Sequence, residues 1–169
     1  DTIMHVLRSF DINKPGTKIK NLKGGAIGGS LIQGKFSVGD EIEIKPGILN
    51  GKKKSYESIQ TEIVSLGTGA GTVDNVKPGG LVAIGTKLDP SLSRSDSLLG
   101  SVIGKPGTLP ENSTVTKLEI NLFDTAVGSQ GETKVTPVQV GELLRVNIGT
   151  APVPAKVNKA KADDIEIEF

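Results

Sequence analysis

The segment that most resembles a catalytic motif is residues 29–36, where two glycines and a lysine have the spacing of a phosphate-binding loop. Gly29, Gly34 and Lys35 match the pattern G-x-x-x-x-G-K. Such a loop needs a serine or threonine next, to bind magnesium, and it lies between a strand and a helix. Phe36 stands at that position, and another strand pattern follows. We therefore interpret the segment as a strand and a turn, with a nucleotide-binding enzyme using Lys35 as the alternative.

The other residue types offer little catalytic chemistry. The glycines of residues 67–71 lack the G-x-G-x-x-G spacing of a dinucleotide site, and we expect a hairpin turn there. The single histidine, His5, argues against a histidine metal cluster or a serine–histidine pair, and the absence of cysteine excludes disulfides and thiolate metal sites. We predict no catalytic residue and no metal site. We expect the lysines at 52–54 to form a solvated loop tip, with phosphate contact as the alternative.

Composition points to a globular all-β chain. Of the 169 residues, 36% are hydrophobic and 23% charged, whereas 22 glycines and 9 prolines are scattered between short apolar runs. A net charge of +1 argues against binding nucleic acid by bulk electrostatics. No apolar run approaches the roughly 20 residues that cross a bilayer. We expect a soluble, cytoplasmic protein without membrane contact.

Alternating apolar residues predict strands. Residues 41–45 place Ile42 and Ile44 on one face, before Pro46 and Gly47 end the strand; residues 61–66 place Val64 and Leu66 together. Further strands are predicted at residues 4–10, 25–36, 73–76, 81–85, 98–103, 116–122, 144–148 and 165–167. Residues 49–57 should form an exposed hairpin loop.

This spacing predicts a small closed barrel over residues 1–106. Residues 104–113 carry two prolines and two glycines, as in an interdomain linker. Only about four strand signals follow, so residues 107–169 should form a second, partial barrel. The chain opens at Asp1 and stops at Phe169 within strand patterns, and we expect a fragment of a longer protein.

Nine short blocks, in order along nearly the whole chain, resemble the gamma subunit of archaeal-type translation initiation factor 2. They are VLRSFDINKPG at 6–16, LKGG at 22–25, GGS at 28–30, VGDEIEIKPG at 38–47, IVSL at 63–66, PGGL at 78–81, GTKLDP at 85–90, GKPG at 104–107 and ELLRVNIGT at 142–150. Each block is weak alone, whereas the ordered set is highly specific. The related elongation factors, including the selenocysteine-specific one, share the architecture and remain an alternative.

The resemblance implies an all-β chain in which a second-domain barrel like that of elongation factor Tu is followed by a partial third-domain barrel. In the family, a GTPase domain precedes these barrels and holds GTP and magnesium. That domain is absent from these residues, so this fragment should hydrolyse no GTP. The resemblance also implies that the whole subunit carries methionylated initiator tRNA to the small ribosomal subunit. The beta subunit would bind only through the GTPase domain.

The tRNA-binding positions that the resemblance implies are Arg8, Phe10, Gly28, Gly29 and Gly80. An arginine can pair with the terminal phosphate or ribose, and a phenylalanine can stack or contact the methionine side chain. Glycines let another backbone approach closely. The alternative for Phe10 is a place in the core.

The alpha subunit of the family should dock on residues 13–23. That segment carries Lys14, Lys18, Lys20 and Lys23, with no acidic residue after Asp11. Local positive charge suits an acidic partner surface, and simple solvation is the alternative.

Overall fold

The computed structural model describes residues 1–51, 55–125 and 134–169. It divides into two compact units: unit 1 comprises Asp1–Asn112 with Gly149–Ala151, and unit 2 comprises Ser113–Ile148 with Pro152–Phe169. Helical structure in the described residues is confined to three 3-10 turns, so the prediction of an all-β chain is confirmed. The domain boundary after residue 106 stays a prediction. No helix of the described residues has the length and apolar character of a membrane span.

Unit 1 is a closed barrel. Its strands are β1 (Ile3–Phe10), β2 (Ala26–Gln33), β3 (Phe36–Ser37), β4 (Glu41–Asn50), β5 (Ser55–Thr68), β6 (Gly71–Val73), β7 (Asn75–Val76), β8 (Leu81–Thr86) and β9 (Val102–Gly104). Six of them pair in the order β4-β9-β1-β2-β8-β5, and β5 pairs back to β4. Closure gives each of these six strands a partner strand on both sides, along at least part of its length.

Inward-facing aliphatic side chains fill this barrel. In β2 and β8 every second residue is buried, as strand periodicity requires. The core consists of Met4, Val6, Ile27, Leu31, Phe36, Ile42, Ile44, Ile59, Ile63, Leu66, Val76, Val82, Ile84, Leu88, Leu98 and Ile103. Phe36 is fully buried, which fits a strand residue rather than the end of a phosphate-binding loop.

Two strand predictions were wrong because the ladder contains irregularities. Between Ile63 and Ser65 the pairing of β5 with β8 shifts register, so Val64 is 45% exposed while Ile63 and Leu66 point inward. In β4 the register shifts between Ile44 and Ile48, and the strand continues past Pro46 to Asn50. Both ends of the expected hairpin loop are therefore strand, since β4 runs to Asn50 and β5 begins at Ser55. The lysines at 52–54 lie outside the described residues.

The proline-rich segment after β9 packs on the barrel of unit 1. The Gly107 N–H donates to the Glu43 carboxylate, and the Lys45 ammonium donates to the Pro110 carbonyl at 3.0 Å. Burial raises the pKa of Glu43, but hydrogen bonds from Ser58 and Gly107, with the Lys45 charge, outweigh it and lower that pKa overall. The predicted strand at 98–103 is shorter than expected, since only Val102–Gly104 pair.

Unit 2 is a four-stranded antiparallel sheet. Its strands are β10 (Val115–Glu119), β11 (Leu143–Ile148), β12 (Ala151–Lys161) and β13 (Asp164–Glu168), in the order β10-β13-β12-β11. The buried core contains Ala155, Val157, Ile165 and Ile167. The predicted shared face of Ile165 and Ile167 is confirmed, and so is the expected second, partial set of strands.

Candidate functional site

A bulge in β1 brings Arg8 and Phe10 to the outer face of the barrel. Val6 pairs with Gly29 and Arg8 pairs with Gly28, so the intervening Leu7 has no partner of its own on β2. The bulge shifts the alternation by one residue. As a result Leu7 and Arg8 are both exposed and Ser9 points inward, while Phe10 returns to the outside at 39% exposure. The alternative that Phe10 belongs to the core does not fit this position.

Small residues lie beside Arg8 on the same outer face. The pairing runs from Arg8 to Gly28, then to Ala83 on β8 and Gly67 on β5. In the next row, Phe10 pairs with Ala26. We call Ala26, Gly28, Ala83 and Gly67 the small-residue strip. Without long side chains, the strip leaves the sheet backbone open to close approach by a ligand.

Arg8 is held by an ion pair with Asp96. Its Nε atom donates to Asp96 Oδ1 at 2.9 Å and to Oδ2 at 3.1 Å. The Arg8 side chain is 67% exposed and that of Asp96 34%. The Arg8 hydrogen bond, followed by one from the Ser9 N–H, lowers the pKa of Asp96 below its ordinary value. Asp96 therefore stays ionised at neutral pH and fixes the direction of the guanidinium.

Gly29 and Gly80 lie apart from this face. Gly29 is buried, and a Cβ there would come within 2.0 Å of the His5 carbonyl oxygen, so it serves the packing of β1 against β2. Gly80 is exposed in the turn before β8, three residues before Ala83. That separation is about 10 Å along a strand. The structure thus brings Arg8, Phe10 and Gly28 together, whereas Gly29 and Gly80 occupy different environments.

The loop between β1 and β2 is closed at its base by Asn13. The Asn13 side chain accepts from the Lys23 N–H at 2.7 Å and donates to the Lys23 carbonyl at 2.8 Å. Its amide also donates to the Asp11 carboxylate. This side chain replaces a pair of backbone ladder bonds and joins the two ends of the loop.

The loop presents cationic and apolar side chains together. Lys14, Lys18, Lys20 and Lys23 are all exposed. None of them forms an ion pair within the part of the chain that the structure describes. Ile19, in the 3-10 turn Ile19–Asn21, is 89% exposed. We call residues 13–23 the lysine loop.

The phosphate-loop alternative fails on geometry. Gly29 to Gln33 belong to β2, Gly34 forms the turn, and β3 begins at Phe36. No helix follows Lys35, and Phe36 supplies no oxygen for magnesium. The predicted strand and turn are confirmed, and these residues do not fit a nucleotide with its metal ion. The described residues also contain no group of three or more acidic, histidine or cysteine side chains placed to hold a metal.

The fold places the chain in a class: a closed six-stranded barrel followed by a second β-sheet is the architecture of the elongation-factor-Tu-like barrels of translation factors. Residues 114–169 match the family model described as "Initiation factor eIF2 gamma, C terminal". The chain belongs to the translation initiation factor 2 gamma family.

Curated relatives are similar along almost the whole chain. The translation initiation factor 2 subunit gamma of Methanocaldococcus jannaschii is 50% identical over 168 residues, and that of Thermococcus onnurineus is 51% identical over 169 residues. The Aeropyrum pernix protein of the same name is 47% identical over 170 residues. These alignments cover 98–99% of this chain and 41% of each relative's length.

Sequence reasoning missed two residues that build the site. Asp96 lies 88 residues from Arg8 in the chain, and no local pattern marks it. Asn13 is the other: its bonds to Lys23 span ten residues, and the sequence indicates only that asparagine is a common turn residue.

Proposed function

We propose that this chain is a non-catalytic binding portion of translation initiation factor 2 gamma that helps hold methionylated initiator tRNA and the alpha subunit. The observation that carries the proposal is the exposure of Arg8 and Phe10 beside the small-residue strip. Similarity to relatives named as gamma subunits supports the same proposal.

The outer face of β1 suits the acceptor end of an aminoacylated tRNA. A guanidinium forms planar, paired hydrogen bonds with phosphate or ribose oxygens. An exposed phenylalanine ring stacks on a base or contacts an apolar amino-acid side chain. Gly28 and Ala83 leave room for the nucleic-acid backbone between these contacts and the sheet. Net charge of +1 provides little general attraction, so the affinity must come from such local contacts.

The lysine loop suits docking of the alpha subunit. Four exposed lysines around the apolar Ile19 would complement an acidic surface that has an apolar centre. Because Asn13 joins the ends of the loop, docking would order a segment whose base is already fixed.

Catalysis belongs elsewhere in this proposal. GTP and magnesium would bind a GTPase domain joined to these barrels, and the beta subunit would attach there. The small ribosomal subunit would receive the assembled complex. The residues of this chain would neither bind nor hydrolyse a nucleotide, since Gly29–Lys35 forms a strand and a turn.

The test is a titration of fluorescent initiator Met-tRNA with the complete gamma subunit, bound to its alpha subunit and GTP. Arg8→Ala and Phe10→Ala should each weaken binding about tenfold, because each removes a contact to the RNA end. Lys35→Ala is the matched control, since it removes an exposed charge outside the strip. Equal affinity of all three variants and the wild type would reject the proposal.

A nucleotide titration of the isolated chain tests the alternative that it is a nucleotide-binding enzyme. Fluorescent GTP and ATP should give no saturable signal. Saturable binding that Lys35→Ala abolishes would establish a free-standing nucleotide-binding protein instead.

A further inference from the structure

Asp96 makes two hydrogen-bonding contacts with β1 at once. Its carboxylate accepts from Arg8 Nε through both oxygens, and Oδ1 also accepts from the Ser9 N–H at 2.9 Å. The carboxylate thus takes the place of a neighbouring strand, since β9 pairs with β1 only at Ile3, Met4 and His5. The Ser9 N–H, which a carbonyl would accept in a continuous ladder, is satisfied by this side chain instead.

The segment that carries Asp96 is fixed to the same edge of β1. The Leu98 N–H donates to Ser9 Oγ at 3.0 Å, and Ser93 Oγ donates to the Phe10 carbonyl at 3.1 Å. Ser93 and Leu98 are both buried. Asp96 itself has a φ of 58°, in the left-handed region that non-glycine residues rarely adopt. Such a conformation persists only where surrounding contacts hold it.

The ion pair leaves most of the guanidinium available. Arginine has five N–H donors, and Asp96 takes only the one on Nε. The four donors on the terminal nitrogens have no partner within the described residues. A ligand oxygen can therefore bind Arg8 without displacing Asp96. If the carboxylate were bound to the terminal nitrogens, it would compete with the ligand.

We infer that Asp96 is a positioning residue for the outer face of β1. It orients the Arg8 guanidinium beside Gly28 so that the terminal nitrogens can donate to an anionic oxygen of the tRNA acceptor end. The inference rests on the proposed function. A fixed guanidinium loses less side-chain entropy on binding than a free one, so the contact gains affinity without gaining charge. Asp96 acts through Arg8 and need not touch the ligand.

The experiment is a double-mutant cycle on the complete gamma subunit, bound to its alpha subunit and GTP, with initiator Met-tRNA as the probe. Asp96→Asn keeps the shape and an oxygen acceptor for the Ser9 N–H, but removes the charge that orients Arg8. It should weaken binding about threefold to tenfold in the wild-type background. In the Arg8→Ala background it should have no further effect, since the group it orients is gone.

A purely structural role predicts a different result. Asp96→Asn would then weaken binding equally with and without Arg8, and that additivity overturns the inference. Tighter binding of Asp96→Asn also overturns it, because Asp96 would then be a competitor for Arg8. If Arg8→Ala itself leaves the affinity unchanged, the proposed function fails together with the inference.

A second variant keeps the inference testable if Asp96→Asn folds poorly. Arg8→Lys retains the charge but lacks the planar fork that Asp96 orients. It should bind initiator Met-tRNA about as weakly as Arg8→Ala, with an unchanged melting temperature. Wild-type affinity of Arg8→Lys would show that charge alone suffices, and that no positioning residue is needed.

Discussion

The two barrel surfaces that we propose as partner-binding sites are built in opposite ways. On the outer face of β1, Arg8 is held by Asp96 and stands beside a strip of glycine and alanine. In the lysine loop, the four cationic side chains extend into solvent without ion pairs to other described residues, and only the base of the loop is fixed, by Asn13.

This difference determines how each surface would select its ligand. A fixed guanidinium beside an open backbone recognises one group in one orientation, because geometry contributes as much as charge. A cluster of solvent-exposed ammonium groups attracts any acidic surface, and its binding depends strongly on salt. The strip should therefore respond to changes in shape and the loop to changes in charge.

The largest expected effect concerns the packing beneath the strip. Gly29→Ala would place a Cβ within 2.0 Å of the His5 carbonyl, whereas Gly28→Ala meets only Arg8 Cβ at 3.7 Å. We expect Gly29→Ala to lower the free energy of unfolding by about 3 kcal/mol, because β1 and β2 must separate. Gly28→Ala is the matched control and should change it by less than about 1 kcal/mol. Urea denaturation measures both, and equal losses would contradict the assigned faces of β2.

Charge reversal in the loop should come next. Lys18→Glu with Lys20→Glu should weaken alpha-subunit binding by about tenfold or more at low salt, and the loss should shrink as salt screens the charges. Calorimetric titration at two ionic strengths measures this. Lys77→Glu, at an exposed position outside the loop, is the control. If added salt does not reduce this loss of affinity, the lysine loop does not bind mainly through charge, and the proposed difference between the two surfaces fails.

Acid should act on the Arg8–Asp96 ion pair beside the strip rather than on the lysine loop. Because the folded pKa of Asp96 is lowered, its contribution to stability is present above the unfolded value of about 3.9 and is lost as pH falls through the folded value. Wild type should therefore be more stable than Asp96→Asn near neutral pH, and the two should converge in acid. Thermal melting across this range measures the difference, and a constant gap would contradict the assignment.

The smallest effect should come from the base of the lysine loop. Asn13→Ala removes the bonds to Lys23 but leaves every lysine in place. We expect alpha-subunit affinity to fall by only about threefold, because electrostatic attraction depends little on the exact positions of the lysine side chains. A loss as large as that of the charge reversals would show that loop geometry, and not charge, controls docking.

Strand alternation was sufficient to predict much of the fold. Ile42 with Ile44, and Ile165 with Ile167, face their cores as expected. The rule fails at Leu7 and at Val64, since a bulge inserts one residue and reverses the faces beyond it. No periodic pattern records where a ladder will shift.

The candidate site was predictable only in part. The resemblance pointed to Arg8 and Phe10, and the structure shows both side chains outside the core. It could not indicate Asp96, because that contact joins residues 88 positions apart through a short irregular segment. It also could not separate Gly28 on the outer face from the buried Gly29, which depends on the register of β1 and β2.

The most direct test of the account is to cover the strip and measure initiator Met-tRNA binding by the complete gamma subunit with its alpha subunit and GTP. Ala83→Trp places a bulky ring at an exposed position next to Gly28, while Leu81→Trp enlarges an already bulky, exposed residue of the same strand. We predict that Ala83→Trp weakens binding at least about tenfold at an unchanged melting temperature, and that Leu81→Trp binds like the wild type. Wild-type affinity of Ala83→Trp would contradict the claim that the acceptor end lies on this face.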